Sequence, residues 1–286
     1  MAFSLRYAVQ AAEHEFNRLS IDDAGNVTVQ IQQAQVGDRP RALGWYYLAL
    51  GPDHSVLQRI ERTIRRHGLL GPSRAMRPFP GMRSRTITLA AEGRQVTHVL
   101  DRFAAVPEEF AELDTLLAEL FALAEGAPIR TFSVAIGFAP ARVRVGEELR
   151  IHLFFRNEGR APTTFRNPAT FAEGGSDTLR INLWKTVRED DGQEGLAFVS
   201  ALDLAGREFL IEERRSLRSD ATYARIPEHG QLEVWTVMKL PSLDREAYRV
   251  EVVYYGHPVT IEEQQRNPDL LVGEFHSDLA TLTVSP

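Results

Sequence analysis

The chain has 286 residues, a formal net charge of −6, 43% hydrophobic and 25% charged residues, and no cysteine. That length exceeds one ordinary domain, roughly 100 to 200 residues, and predicts two, each able to bury a core without disulfides or metals. The missing cysteines exclude disulfide frameworks, Cys-type zinc sites, iron–sulfur clusters and thiol nucleophiles, and the acidic balance argues against a broad nucleic-acid-binding surface.

In chain order, Phe3, Leu5, Tyr7 and Val9 alternate as a strand does, with a short helix through Ala11 and Ala12 competing for its end. Met1 to Phe16 carries Glu13-His14-Glu15 and no apolar run of signal-peptide length. No segment reaches the roughly 20 apolar residues of a membrane span. The expectation is a cytoplasmic protein with no membrane partner. Leu19 and Ile21, then Asp-Ala-Gly-Asn, then Val27, Val29 and Ile31 predict a hairpin, and Trp45 to Leu48 an aromatic-rich strand closed by Gly51-Pro52-Asp53. A helix follows from about Asp53 to His67, with Val56, Leu57, Ile60 and Ile64 on one face, Arg59, Arg62 and Arg66 on the other, and Gly68 as its stop. Ile87 and Leu89 against Val96 and His98 predict a second hairpin turning at Glu92-Gly93. Pro107 opens a helix striped by Phe110, Leu113, Leu117, Leu120 and Phe121, with acids near its positive end. Residues 1–127 are therefore expected to form an α+β domain, an antiparallel sheet covered by two helices.

From Thr131 the helical period disappears. Leu149 to Phe155, Leu179 to Leu183, Leu232 to Met238, Tyr248 to Tyr254 and Ala280 to Val284 alternate between turn signals, so residues 128–286 are expected to form an all-β sandwich. The stretch PARVRVGEELRIHLFFRNEG resembles the opening strands of bacterial immunoglobulin-like sandwiches, and LDREAYRVEVVYYG with LVGEFHSDLATLTV is similar to their last two. Tyr248 stands where such a sandwich carries a tyrosine corner, its hydroxyl bonded back to the preceding loop. Among these domains the likeness is to intracellular proteinase inhibitors. In the first half, RTITLAAEGRQVTHVLD between two helices faintly resembles the emfourin type of peptidase inhibitor. Both resemblances imply a protein partner, with a peptidase the one they name, and no inhibitory-loop residues carry over from either family.

Catalytic patterns are missing from the sequence: there is no H-E-x-x-H, G-x-S-x-G, G-x-G-x-x-G or Walker motif. No catalytic residue, metal ligand or cofactor is assigned. His257, Glu262, Glu263 and His276 share the stretch between the last two strands, which keeps a metal-dependent hydrolase as a third expectation. The sharpest charge feature is basic: Arg59, Arg62, Arg65, Arg66, Arg74, Arg77, Arg83 and Arg85 accompany only Glu61, ahead of an acid-rich stretch. Such opposed blocks point to intramolecular pairing, or to a basic face for an acidic protein. The Leu70 to Gly81 loop adds Met76 and Phe79, and the polar connection after Asn157 adds Phe165 and Phe171, aromatics that either anchor interfaces or fold back to cap the sandwich end. The candidate partner-binding residues are Arg59, Arg62, Arg66, Met76, Phe79, Phe165 and Phe171. The leading expectation is a non-enzymatic protein-binding module, and the alternative is a structural subunit of a larger bacterial assembly.

Overall fold

The computed structural model describes residues 3–11, 14–32, 42–74, 83–101, 104–188, 194–211, 215–216, 221–239, 243–244, 246–257, 266–267 and 269–285. The architecture is mostly β, with several largely antiparallel sheets and two α-helices among the described residues. The chain divides into two compact units, one taking Met1–Gln32 and Gly44–Ile129, the other Gln33–Leu43 and Arg130–Pro286.

In the first unit, strands β1 (Phe3–Ala11), β2 (His14–Ile21), β3 (Asn26–Ile31), β4 (Leu43–Ala49), β5 (Arg83–Ala91) and β6 (Arg94–Asp101) form an antiparallel sheet ordered β4-β3-β2-β1-β5-β6. Period-two alternation sends Leu5, Tyr7, Leu19, Val27, Val29, Ile87 and Leu89 to one face. That face packs against the apolar stripes of α1 (Ser55–Arg66) and α2 (Glu108–Glu125), which bury Val56, Leu57, Ile60, Phe110, Leu113, Leu117 and Leu120 in the same core. Ala11, expected in the competing helix, is the last residue of β1, and Ala12 lies outside the described residues. The hairpin between β2 and β3 is locked by Asp22, whose Oδ1 accepts from the amides of Ala24 and Asn26 at 3.0 and 2.8 Å. Gly25 at its tip has φ +77°, and a Cβ there would stand 2.4 Å from the Gly51 carbonyl carbon, so only glycine fits.

Buried His98 on β6 ties down the segment after α1. Its Nδ1 accepts the Arg74 amide at 3.2 Å, which leaves Nε2 to donate to the Leu69 carbonyl at 2.7 Å.

The second unit holds β7 (Pro128–Ala139), β8 (Arg142–Arg144), β9 (Glu148–Asn157), β10 (Thr163–Arg166), β11 (Thr178–Arg188), β12 (Glu194–Asp203), β13 (Leu210–Ile211), β14 (Arg215–Ser216), β15 (Tyr223–Ile226), β16 (Gly230–Lys239), β17 (Ala247–Gly256), β18 (Leu270–Leu271), β19 (Gly273–His276) and β20 (Ala280–Ser285). One sheet runs β14-β13-β16-β9-β7 and another β12-β11-β17-β20-β8, with β19 also paired to β17 and a small sheet β15-β10-β18 beside them. Leu149, Ile151, Leu153 and Phe155 of the first sheet and Leu179, Ile181, Leu183, Val250, Val252 and Tyr254 of the second are all buried. Phe132 joins the layers: its ring lies 5.8 Å from Phe155, 4.8 Å from Phe165 and 4.6 Å from Tyr254. Offset and tilted aromatic pairs at such spacings add to the burial they bring.

Tyr248 is buried at the foot of β17 and its hydroxyl donates to the Asp244 carbonyl at 3.1 Å. Lys185 flanks this corner, its Nζ 2.5 Å from Glu246 and 3.6 Å from Asp244. Tyr248→Phe keeps the ring and removes only the bond, so urea unfolding should show a loss of about 1 kcal/mol. An unchanged midpoint would show the corner to be structurally idle.

Candidate functional site

The arginine face of α1 turns toward acids of α2. Arg59 pairs with Glu119 at 2.9 Å and Arg66 with Glu112 at 3.1 Å, while Arg65 pairs within its own helix with Glu61 at 3.0 Å. Beyond the helix Arg85 reaches Asp114 at 3.1 Å and Arg74 pairs with Glu109. The basic and acidic blocks thus meet within one unit. Of the three candidate helix arginines only Arg62 shows no carboxylate partner in the described contacts; its Nε donates to the Gln58 carbonyl at 3.4 Å. Met76 and Phe79 lie outside the described residues.

Phe165 and Phe171 fold back into the core, the second of their two expected places, and do not take the interface role. They are 0% and 3% exposed, because β10 pairs with β15 and β18 and carries Phe165 onto Phe132 and Phe155, while Phe171 lies 5.8 Å from Tyr254. Burial leaves neither ring a surface to offer a partner. The expected ligand group His257, Glu262, Glu263 and His276 is described only in part. Glu262 and Glu263 lie outside the described residues, and both ring nitrogens of His276 are engaged by carboxylates. Among the described residues no group of three or more metal-ligating side chains is placed to hold an ion.

A surface that the alternating patterns do not announce lies on the β12 side of the second unit. Strand β12 is ten residues long and ends its sheet; none of its residues is buried, and only β11 pairs with it among the described residues. Residues 195–202, Gly-Leu-Ala-Phe-Val-Ser-Ala-Leu, carry no charge. Leu196 and Val199 are exposed, and Phe198 is 55% exposed. Its ring meets Trp184 of β11 edge to face with centroids 5.3 Å apart. Trp184 pairs with Phe198 and Leu183 with Ser200, so Val199 is an extra residue, a β-bulge.

Beside these aromatics the same outward face carries a closed polar group. Asn182 stands opposite Glu251 and donates to its Oε2 at 3.0 Å; His276 Nδ1 lies 2.8 Å from Glu251 Oε1 and Nε2 lies 3.1 Å from Glu274 Oε1. Burial alone would raise the Glu251 carboxyl, but hydrogen bonds from His276, Asn182 and Trp184 outweigh it and hold the group below the usual range. Hydrogen bonds to Glu251 and then Glu274 push His276 up to about 9 against the cost of burial. At neutral pH this histidine is an imidazolium clamp between two carboxylates, with no lone pair left for a metal or for base catalysis.

No protein-family model matches the sequence, and no curated protein matches it. Among solved structures the chain is similar to a sporulation control protein of Bacillus subtilis, at 11% identity, over 54% of this chain and 49% of that one, with a TM-score of 0.30. It is also similar to red sea bream transglutaminase, at 9% identity, over 100% of this chain and 27% of that one, with a TM-score of 0.27. The chain thus spans 49% and 27% of the length of these two proteins, and likenesses of this strength carry no functional argument.

The clamp sets a pH dependence. The folded value of His276, about 9, lies above its ordinary 6.5, so the stabilisation is complete below pH 6.5 and is lost as pH rises through about 9. Glu251 is depressed from 4.5, so its contribution holds above pH 4.5 and fades as pH falls through its lowered value. Melting temperature measured from pH 6 to pH 10 should fall through this range in the wild type and stay flatter in His276→Gln. Parallel curves would show that the imidazolium contributes nothing.

Proposed function

We propose that the chain is a non-enzymatic binding protein of the cytoplasm that holds another protein along β12 and the apolar surface beside it. The observation that carries the reading is the long uncharged edge. A sheet edge leaves a row of backbone N–H and C=O groups unpaired and templates the addition of a further strand unless it is short, charged or covered. Other edges of this chain have such protection. The far end of the same sheet is β8, three residues with Arg142 and Arg144 exposed, and the neighbouring sheet ends in two-residue strands. On β6 the Val99 amide donates to the Arg74 carbonyl at 2.8 Å. Between Gly195 and Leu202 strand β12 carries no charge and has no cover among the described residues; its protection is confined to the acids at its two ends and the bulge at Val199. It adds an apolar surface at Leu196, Phe198 and Val199, the kind of exposed patch that marks an interaction site.

An immunoglobulin-like sandwich is the finer fold reading. It is supported by the two sheets meeting through Phe132 and by the tyrosine-corner bond from Tyr248 to Asp244. The resemblance to proteinase inhibitors makes a peptidase the first partner to assay, because an exposed edge binds extended chain by backbone pairing. The alternative, a subunit of a larger assembly, uses the same edge to join copies of this chain.

The test compares wild type with Phe198→Ser, which removes an exposed ring and its edge-to-face contact with Trp184, so stability should fall by about 0.5–1.5 kcal/mol without unfolding the chain. Capture from native lysate should retain one dominant protein with the wild type and lose it with the variant. Light scattering should give a monomer for both. Oligomers that form with the wild type and disappear with the variant would transfer the reading to the assembly subunit.

A further inference from the structure

Given the binding role proposed for β12, the register of this strand restricts what can pair with it. In an antiparallel ladder, residues directly opposite share a face. The pairing of β12 with β11 places Glu194, Leu196 and Phe198 on the outward face, opposite Arg188, Thr186 and Trp184. The bulge at Val199 then reverses the parity, so Ala201 and Asp203, opposite Asn182 and Arg180, return to that face. The outward row is therefore acid, leucine, phenylalanine, alanine, acid. Both acids are exposed.

A second copy of β12 is the obvious candidate for the unpaired edge, and this row opposes it. Two antiparallel copies that keep their faces matched across the bulge set Leu196 opposite Ala201 and Glu194 opposite Asp203. The acidic pair arises twice because the arrangement is two-fold. Like charges directly opposite destabilise a strand pair. Slipping the copies by two residues relieves the repulsion but shortens the ladder at one end, and slipping by one turns the apolar residues to the wrong face. The two acids thus bracket an apolar strand and act against pairing with itself, a device natural edges use against self-association.

The same bracket is complementary to a different strand. Ten residues, one of them the bulge, leave nine facing positions, so the two ends of the row stand opposite partner positions i and i+8. We propose that β12 receives an extended segment of another protein, apolar at the alternate positions that flank Leu196 and Phe198 and cationic at i and i+8. Backbone hydrogen bonds supply the pairing, and the two opposite-charge contacts set the register.

The test titrates the full chain with fluorescently labelled synthetic peptides that alternate valine and threonine and carry lysine at i and i+8. Controls carry glutamate at those two positions, or proline at the centre. The lysine peptide should bind about tenfold more tightly than the glutamate peptide at low salt, from two cross-strand charge contacts, and the gap should close at high salt. The proline peptide should not bind. Double substitution Glu194→Gln with Asp203→Asn, which keeps an acceptor for the Ala205 amide and sets no like charge opposite Arg188 or Arg180, should abolish the preference with little change in melting temperature. Equal binding of the lysine and glutamate peptides, failure of both to bind, or a preference retained in the double variant would each overturn the inference. Loss of lysate capture on Phe198→Ser, in the presence of any of those results, would leave β12 as a binding edge and remove only its charge selectivity.

Discussion

A sheet that does not close on itself must end, and at its end one strand keeps a row of backbone donors and acceptors that no neighbour satisfies. In the second unit that row falls along β12, and much of the surrounding chemistry answers to it. Strand β11 has buried residues on its inward face, Leu179, Ile181 and Leu183, and has β17 on its other side, so it is fixed from two directions. Among the described residues strand β12 has one neighbour, and none of its side chains is buried. Its order depends on the ladder with β11 and on the ring contact between Phe198 and Trp184. An apolar strand held so lightly is a liability in an isolated molecule, and the acids at its ends are the feature that limits the damage.

The parts of the fold that were legible in the sequence share one physical property: a buried face. The hairpin of β2 and β3, the stripes of α1 and α2, and strands β9, β11, β16 and β17 all alternate between core and water, and burial imposes a period that can be read without coordinates. Strand β12 has no such face, so nothing in its composition had to alternate. The bulge at Val199 removes what residual period there was, since Phe198 and Ala201 share a face three positions apart. The stretch reads as a featureless apolar segment and escaped the sequence reading for that reason.

Phe165 and Phe171 show the opposite limit. Each sits in a stretch rich in polar residues and turn formers, which suggests an exposed loop, but β10 pairs Phe165 with Ala224 and Leu271, partners far away along the chain. Long-range pairing of this kind leaves no local signature. The opposed charges of α1 and α2 were legible as charge blocks because their pairing needs only helices that lie side by side, as Arg59 with Glu119 and Arg66 with Glu112 show. Exposed pairs of this type contribute little each, about 0 to 1 kcal/mol, and serve more to fix which faces meet.

The polar clamp and the edge strand are coupled through one residue. Trp184 presents its ring to Phe198 and its side-chain donor to Glu251, which also holds His276 and Asn182. An indole with a polar partner at one end and a ring contact at the other has fewer ways to move, so the Phe198 ring rests on an ordered neighbour. The imidazolium satisfies two carboxylates, the carboxylate fixes the indole, and the indole supports the phenylalanine on the open edge.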